Sequence, residues 1–396
     1  MKTIQSLRAL CAVLFFVVLT LPVSAASDAY ALKKLDTDGK VGKYTAMRLR
    51  DKTTPVVAYF DATNKQVKLA VCSNAACEDV SLQADDSSVG MSDPGTAIEV
   101  GINKDGFPFS VYGYKNSSGA KEILMTTCSS ADCSDAFPAT YSVASFTSDT
   151  TDVALTTYKG SPVIFYKYSD SVLYVRQCDK NNVGCEQKKS GLIILDDGFE
   201  KPKDLNIAIG SDGKAIITYV VTDGTTSELR LVYCNDIACS LGTIGGLTPV
   251  TVASSTGKGI LSSSLALTKA GLPVIAYYSS QEKKGLVSIC TTTACTASVA
   301  KTFYSGTAKL NTLDFTLNSS DFPVISYAVA KENDSSKYVL KTATCKDASC
   351  ATIKTKTVDS NGNVGLYSSV AINSDKKIVM TYFDSGKADL KFAKQN

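Results

Sequence analysis

Carboxylates, phenols and amines are the side chains available for acid–base chemistry in this chain of 396 residues, because it contains no histidine. The absence of histidine excludes serine–histidine–aspartate and cysteine–histidine nucleophile systems and HExxH zinc sites. The 19 tyrosines and 14 phenylalanines must supply any aromatic stacking on a ligand, since there is no tryptophan. The sequence therefore predicts no catalytic residue set, no cofactor and no metal site.

Polar and aromatic residues recur just after apolar segments that end in tyrosine. These positions differ between copies of the segment, as ligand-contacting loops do, and carboxylates beside aromatic rings suit a sugar or a peptide. The candidate ligand-binding residues are Asp61, Tyr114, Tyr168, Asp170, Tyr278 and Asp384. A hydrolase or lyase that uses the aspartates of this set stays open as an alternative.

The apolar segments themselves form a repeat. Seven copies of a five-residue Val/Ile-rich segment ending in tyrosine lie 50 to 58 residues apart, which is typical of a propeller, a solenoid or an array. Each repeat can be divided into four short strands, a to d, and the segment is strand b. Because the tyrosine recurs in every copy, we expect it to pack between repeats. The copies span residues 55–59, 108–112, 162–166, 215–219, 273–277, 323–327 and 378–382.

Cysteines mark the same repeat. Twelve of the 13 fall into six close pairs, five of them C-x4-C and one C-x6-C, at intervals of 50 to 56 residues. An even number of paired cysteines in an exported chain predicts local disulfides. A zinc site would need two distant pairs to meet, since no histidine can complete the ligand set. The predicted disulfides are Cys72–Cys77, Cys128–Cys133, Cys178–Cys185, Cys234–Cys239, Cys290–Cys295 and Cys345–Cys350.

Residues 1–25 are predicted to be a secretory signal peptide. Lys2 and Arg8 precede an apolar run at 12–21, and small residues lead to a cleavage site after Ala25. The run is too short for a membrane span, which takes about 20 residues. We expect a secreted protein with no membrane span, whose residues 26–396 form one domain.

The two ends of the chain are predicted to share one repeat. The last copy stops after its third strand, at residues 390–396, and lacks a cysteine pair and a strand d. Residues 30–44 closely parallel residues 353–367, which contain strand d of the preceding copy. The N-terminal strand would then complete the C-terminal blade and close a ring, leaving no exposed sheet edge. A linear solenoid does not account for a missing strand at the opposite end of the chain.

With its pattern G-x-P-x-I-x-Y followed by L-x4-C-x4-C, the chain resembles secreted β-propeller repeat proteins over residues 30–396. The resemblance implies an all-β fold, a seven-bladed propeller of four-stranded antiparallel blades. It implies no particular activity, because propellers serve as enzymes, lectins and scaffolds. In this strand order the d–a and b–c loops share one face, here called the loop-rich face. The a–b turns and disulfide hairpins share the other, here called the turn face.

Charge and export suggest the class of partner. The formal charge is +3, from 41 basic and 38 acidic residues, and only five of the basic residues are arginine. Nucleic-acid binding is therefore not predicted. We expect a secreted, non-enzymatic recognition or adhesion module that binds an extracellular glycan or protein through its loop-rich face. A structural component of an extracellular coat or matrix is the second alternative. Three N-x-S sequons predict glycosylation at Asn116, Asn318 and Asn333. Neither the ligand nor the oligomeric state follows from the sequence.

Overall fold

The computed structural model describes residues 29–88, 90–91, 98–115, 119–134, 139–149, 152–179, 185, 187–195, 198–240, 248–257 and 259–396. Seven antiparallel sheets of four strands form the blades of a ring, as predicted. A single turn of 3-10 helix (Asp86–Ser88) follows the first blade. The predicted signal peptide lies outside the described residues, and no described helix is long and apolar enough to cross a membrane.

Each blade uses consecutive strands, except the last, which also takes the first strand of the chain. Blade 1 consists of β2 (Val41–Arg50), β3 (Thr54–Asp61), β4 (Gln66–Cys72) and β5 (Val80–Ala84). Blade 2 consists of β6 (Ile98–Ile102), β7 (Pro108–Lys115), β8 (Lys121–Thr127) and β9 (Ala139–Ser145). Blade 3 consists of β10 (Val153–Tyr158), β11 (Ser161–Ser169), β12 (Val172–Cys178) and β13 (Gln187–Ile194). Blade 4 consists of β14 (Glu200–Ile209), β15 (Ala215–Thr222), β16 (Thr226–Tyr233) and β17 (Val250–Thr256). Blade 5 consists of β18 (Ile260–Leu267), β19 (Pro273–Ser279), β20 (Lys284–Cys290) and β21 (Ser298–Ser305). Blade 6 consists of β22 (Leu310–Leu317), β23 (Pro323–Lys331), β24 (Asp334–Cys345) and β25 (Ile353–Asp359). Blade 7 consists of β26 (Val364–Ile372), β27 (Ile378–Asp384), β28 (Asp389–Gln395) and β1 (Tyr30–Asp36).

The ring closes inside blade 7. β1 pairs antiparallel with β28, with Leu32 opposite Ala393 and Asp36 opposite Leu390. The backbone N–H of Asn396 also donates to the carbonyl of Ala29 at 2.9 Å. The prediction that the N-terminal strand completes the last blade is therefore confirmed.

The apolar core lies between the blades. Seven clusters of buried side chains occur among the described residues, and each joins two neighbouring blades. Strand b is buried along its length in blades 1, 5 and 7, whereas the first five residues of the outermost strand of blade 6 are exposed or half-buried. Blades approach so closely that a Cβ on Gly42, whose φ is +97°, would lie 2.7 Å from the Cα of Leu390. The ring is therefore held together by side-to-side packing of its blades.

The repeated tyrosines of strand b are buried at these junctions, as the sequence predicts. Each retains 6% or less of its accessible surface. Three of them donate to an aspartate at the end of the outermost strand of the neighbouring blade, and the pairs are Tyr59–Asp36, Tyr112–Asp85 and Tyr382–Asp359.

All six predicted disulfides are present, and each staples the hairpin between strands c and d. Their Cα–Cα distances are 4.6 to 5.1 Å, which a disulfide spans without backbone movement. In every C-x4-C hairpin the second cysteine has a positive φ, between 50° and 55°. Six disulfides are typical of a protein that folds in an oxidising, extracellular environment.

Candidate functional site

The seven innermost strands surround a central channel. A cavity of about 570 Å³ lies within it, lined by residues from β2, β6, β10, β14, β18, β22 and β26 and by flanking residues of their connections. Each innermost strand runs from the loop-rich face to the turn face. Its first residues therefore form the channel mouth on the loop-rich face, and its last residues form the opposite end.

Backbone bulges turn three side chains into the channel mouth. Tyr44, Asp204 and Tyr367 occupy matching positions in β2, β14 and β26, each within a shift of pairing register against strand b. All three have a left-handed backbone, with φ of 57°, 51° and 53°. A bulge redirects the side chain that it carries, and a non-glycine residue in this conformation costs energy that the surrounding structure must supply. The three residues line the cavity together.

Neighbouring blades hold this strained backbone in place. The N–H of Tyr367 donates to Oγ1 of Thr312 in blade 6 at 3.1 Å. Its carbonyl accepts from Oγ1 of Thr45 in blade 1 at 2.5 Å. Tyr367 is thus fixed on both sides, by the blades before and after its own.

An aromatic cluster forms one side of the mouth. The rings of Tyr44 and Tyr367 meet edge to face with centroids 4.5 Å apart. Phe60 lies 6.5 Å from Tyr44, and Phe383 lies 6.4 Å from Tyr367. Both phenylalanines are buried, so they support the tyrosines from behind. Tyr44 and Tyr367 are partly exposed to the channel and present a surface on which a sugar ring can stack.

Four carboxylates from four blades line the same channel: Glu99, Asp152, Asp204 and Asp314. Asp314 ties three blades together, because Oδ1 accepts from Oγ of Ser264 at 2.9 Å and Oδ2 accepts from the N–H of Val370 at 2.9 Å. Asp152 accepts from the N–H of Leu205 in the next blade at 3.3 Å. These two carboxylates position the inner strands as well as charging the channel.

The other two carboxylates are held less tightly. Burial raises the pKa of Glu99 to about 7; Arg48, 3.4 Å away, opposes the rise, while Asp314 and Asp152 add to it. Burial and the charge of Asp152 raise the pKa of Asp204 to about 8. Oδ2 of Asp204 is buried with no hydrogen-bond partner among the described residues. Oδ2 of Asp204 is therefore available to a ligand that enters the channel, whereas Glu99 already accepts from Arg48.

The side chains that line the channel change from acidic to basic along its axis. Asp152 and Asp204 lie toward the mouth, while Arg48 and Lys52 line the end on the turn face. The mouth thus offers hydrogen-bond acceptors beside aromatic rings, and the far end offers cations.

Two of the predicted ligand residues, Asp61 and Asp384, are buried and shape their own turns. Oδ1 of Asp61 accepts from the backbone N–H groups of Thr63 at 2.9 Å and Asn64 at 3.0 Å. Oδ1 of Asp384 accepts in the same way from Gly386 and Lys387, at 3.0 and 3.1 Å. In both cases the carboxylate folds the b–c loop.

The other four candidates lie apart from one another. Tyr278 is buried between blades 5 and 6, and Tyr114 packs partly against the core between blades 1 and 2. Tyr168 packs edge to face on Tyr174, with centroids 5.5 Å apart. Asp170 is half-exposed and pairs with Lys167 at 2.8 Å, in a separate surface pocket. None of the six candidates lines the central cavity, and their role as ligand residues stays a prediction.

The channel residues were missed because they belong to strands rather than to loops. Glu99 and Asp314 stand where Ala46 and Ala154 stand in other copies, opposite the residue that precedes the strand-b tyrosine. Charged residues inside an apolar innermost strand were the available signal.

Two further kinds of site are metal sites and the three predicted glycosylation sites. Across the described part of the chain, no three acidic or cysteine side chains are grouped so that they could hold a metal ion. Asn333 is exposed in the b–c loop of blade 6. Asn318 lies in an a–b turn, where its Oδ1 accepts from the N–H groups of Ser320 and Phe322. Asn116 lies outside the described residues.

Comparison with known proteins supports the fold alone. No protein-family model and no curated protein matches the chain. Among solved structures it is similar to the polysaccharide lyase Uly1, with a TM-score of 0.55 and 10% identity over 96% of this chain and 94% of that one. It is also similar to a mutant of AofleA from Arthrobotrys oligospora (TM-score 0.49, 9% identity, 84% and 90% covered). A third is a thermostable family-43 glycoside hydrolase (TM-score 0.44, 10% identity, 84% and 99% covered).

Proposed function

We propose that this chain is a secreted, non-enzymatic recognition protein that binds the end of a glycan in the mouth of its central channel. The observation that carries the proposal is the pairing of Tyr44 and Tyr367, 4.5 Å apart, above a channel lined by carboxylates. Sugar rings stack on aromatic side chains, and their hydroxyl groups donate to carboxylates. The predicted signal peptide and the six disulfides support a role outside the cell.

Glycan-array binding, followed by titration of the best ligand, tests the proposal. Tyr44→Ala and Tyr367→Ala should each weaken binding about tenfold, because an aromatic contact contributes up to about 1.5 kcal/mol. Tyr158→Ala is the matched control, since Tyr158 is also partly exposed but lies at the end of β10 on the turn face. Equal losses in all three variants, or an array without any specific ligand, would contradict the proposal.

A carboxylate-dependent hydrolase or lyase is the second candidate. The raised pKa values of Asp204 and Glu99 favour it, because acids with such values are suited to proton transfer near neutral pH. Incubation of the array ligand with the protein, followed by product analysis, separates the two functions. Turnover that is lost in Glu99→Gln or Asp204→Asn while binding persists would establish the enzyme. A bound ligand that is never cleaved by the unaltered protein would exclude it for that ligand.

A further inference from the structure

A groove between blades 6 and 7 opens near the turn face, away from the channel mouth. Its cavity is about 160 Å³, and four lysines line it: Lys346, Lys354, Lys356 and Lys376. The other described lining residues are uncharged, and none is an aspartate or a glutamate. The groove is therefore a concentration of positive charge on a chain whose total charge is almost balanced.

The strand register aligns two of these lysines. Lys354 and Lys356 lie two residues apart in β25, opposite Thr344 and Thr342 of β24. Residues two apart in a strand point to the same side, roughly 7 Å from each other. Tyr30 of β1 supplies the facing wall, with its hydroxyl 3.4 Å from Oγ1 of Thr342 and its ring centroid 5.9 Å from Nζ of Lys356.

Three of these lysines have no carboxylate partner in the part of the chain that the structure describes. Within the described residues, Lys346, Lys356 and Lys376 form no ion pair with a carboxylate. Lys68 and Lys391, by contrast, each pair with a buried aspartate. The carboxylate next in sequence to Lys346 belongs to Asp347. It accepts hydrogen bonds from within its own disulfide hairpin, from Oγ of Ser349 at 2.5 Å and the N–H of Ala351 at 3.0 Å.

The positive surface continues toward the channel. Lys376 lies in the a–b turn of blade 7, and this turn contacts the a–b turn of blade 1. The N–H of Ser374 donates to the carbonyl of Lys52 at 2.8 Å, and the hydroxyls of Ser374 and Thr53 lie 2.7 Å apart. Lys52 and Arg48 in turn line the end of the channel. The acidic residues of these two turns are Asp375 and Asp51, and Asp51 pairs with Arg50 at 3.6 Å.

From this arrangement we infer that the turn face binds a linear polyanionic glycan, one that carries sulfate or uronate groups, along the groove between blades 6 and 7. Several point charges in a row match a polymer with repeated anionic groups, and the binding should be strongly salt-dependent. Lysines rather than arginines line the groove, whereas bidentate recognition of phosphate favours arginine. This site is independent of the channel mouth and of the ligand proposed there.

Heparin serves as the probe, with the protein produced as Ser320→Ala. That change removes the Asn318 sequon but keeps the backbone N–H of Ser320, which donates to Oδ1 of Asn318. A glycan at Asn318 would cover the groove, so the inference requires this sequon to be unoccupied in the native protein. The test variant combines Lys354→Gln, Lys356→Gln and Lys376→Gln. The matched control combines Lys40→Gln, Lys309→Gln and Lys387→Gln, which are exposed lysines in loops of the loop-rich face and give the same change in net charge.

We expect the parent protein to be retained by heparin at physiological salt. The groove variant should bind at least tenfold more weakly and show a shallower dependence of log K on log salt, while the control retains the affinity of the parent. Equal weakening in both triple variants, or no retention of the parent, would overturn the inference. So would binding of double-stranded DNA with the same affinity and the same lysine dependence. Tyr44→Ala should bind heparin normally, so failure of the channel proposal is distinguishable from failure of this one.

Discussion

The hydroxyl of Tyr382 lies 2.8 Å from Oδ2 of Asp359, to which it donates, and so ties strand b of blade 7 to the outermost strand of blade 6. The same contact joins Tyr59 to Asp36 at 2.6 Å, between blade 1 and blade 7. In both pairs a lysine of strand c, Lys391 or Lys68, approaches the same carboxylate oxygen. The closing blade is therefore anchored on both sides by a buried group of tyrosine, aspartate and lysine.

Removal of one such hydroxyl should measurably weaken the fold. Tyr382→Phe is expected to lower the free energy of unfolding by about 1.5 to 3 kcal/mol, because the lost hydrogen bond is to a charged acceptor. Tyr327→Phe is the matched control, since Tyr327 is equally buried at the corresponding position of blade 6 but forms no hydrogen bond through its hydroxyl among the described residues. Denaturant unfolding measures both. Equal effects would show that the Tyr382–Asp359 contact contributes nothing specific.

Acid should release the same anchors. Burial on its own raises the pKa of Asp359, but hydrogen bonds from Lys391, the Asn361 N–H and Tyr382 outweigh it and hold that pKa below 3.8. The pKa of Asp36 is also lowered, because hydrogen bonds from Lys68, Tyr59 and the Asp38 N–H outweigh the effect of burial. The unfolded chain then takes up these protons first, so the stability they contribute is present above about pH 4 and is lost as pH falls further.

The double variant Asp36→Asn with Asp359→Asn tests this pH dependence. We expect it to be less stable than the parent at pH 7, because Lys68 loses its carboxylate partner and Lys391 keeps only Asp384, 3.9 Å away. It should also lose less additional stability between roughly pH 4 and pH 2. Denaturant unfolding at several pH values gives both quantities. Parallel pH curves for the parent and the variant would contradict the assignment.

Asp204 should have the opposite pH dependence. Burial and Asp152 raise its pKa to about 8, far above the ordinary 3.8, so the unfolded chain ionises first and stability falls as pH rises from about 4 to 8. Asp204→Asn is expected to raise the free energy of unfolding at pH 8 by about 1 kcal/mol or more, and to have little effect at pH 4. Unfolding at these two pH values measures the difference. Equal effects at both would argue against a raised pKa.

The disulfides should add stability one hairpin at a time. Each C-x4-C bridge closes a loop of about six residues, for which chain entropy gives about 2 kcal/mol. Cys345→Ser with Cys350→Ser should lower the free energy of unfolding by that amount and leave the propeller folded, because blade 6 keeps its strand pairing and its core. Thermal and denaturant unfolding test the magnitude, and far-ultraviolet circular dichroism tests whether the fold persists.

The architecture was predictable because it depends on regular patterns. Alternating and apolar strands, the tyrosine at the end of strand b and the cysteine hairpin recur in register, and the likeness of residues 30–44 to 353–367 indicated the closing strand. These signals depend on strand periodicity and local turn chemistry, which a single sequence contains.

The functional residues were harder to predict, for two physical reasons. A carboxylate that caps its own turn, as Asp61 does, has the same local sequence as one that waits for a ligand. A bulge reverses the direction of a side chain, and no sequence pattern announced the bulges that turn Tyr44 and Tyr367 into the channel. The channel carboxylates are far apart in sequence, by about fifty residues or more, and only closure of the ring brings them to one channel.

Pairing of β1 with β28 also dictates an order of events during synthesis. β1 emerges from the ribosome well before its partner, which follows more than 350 residues later. At ordinary rates of translation that interval is roughly 20 to 70 s. Throughout it β1 offers an open hydrogen-bonding edge, and every other blade can be complete before the ring locks. Folding is therefore most open to incorrect strand pairing while β1 waits for β28, rather than during the formation of any later blade.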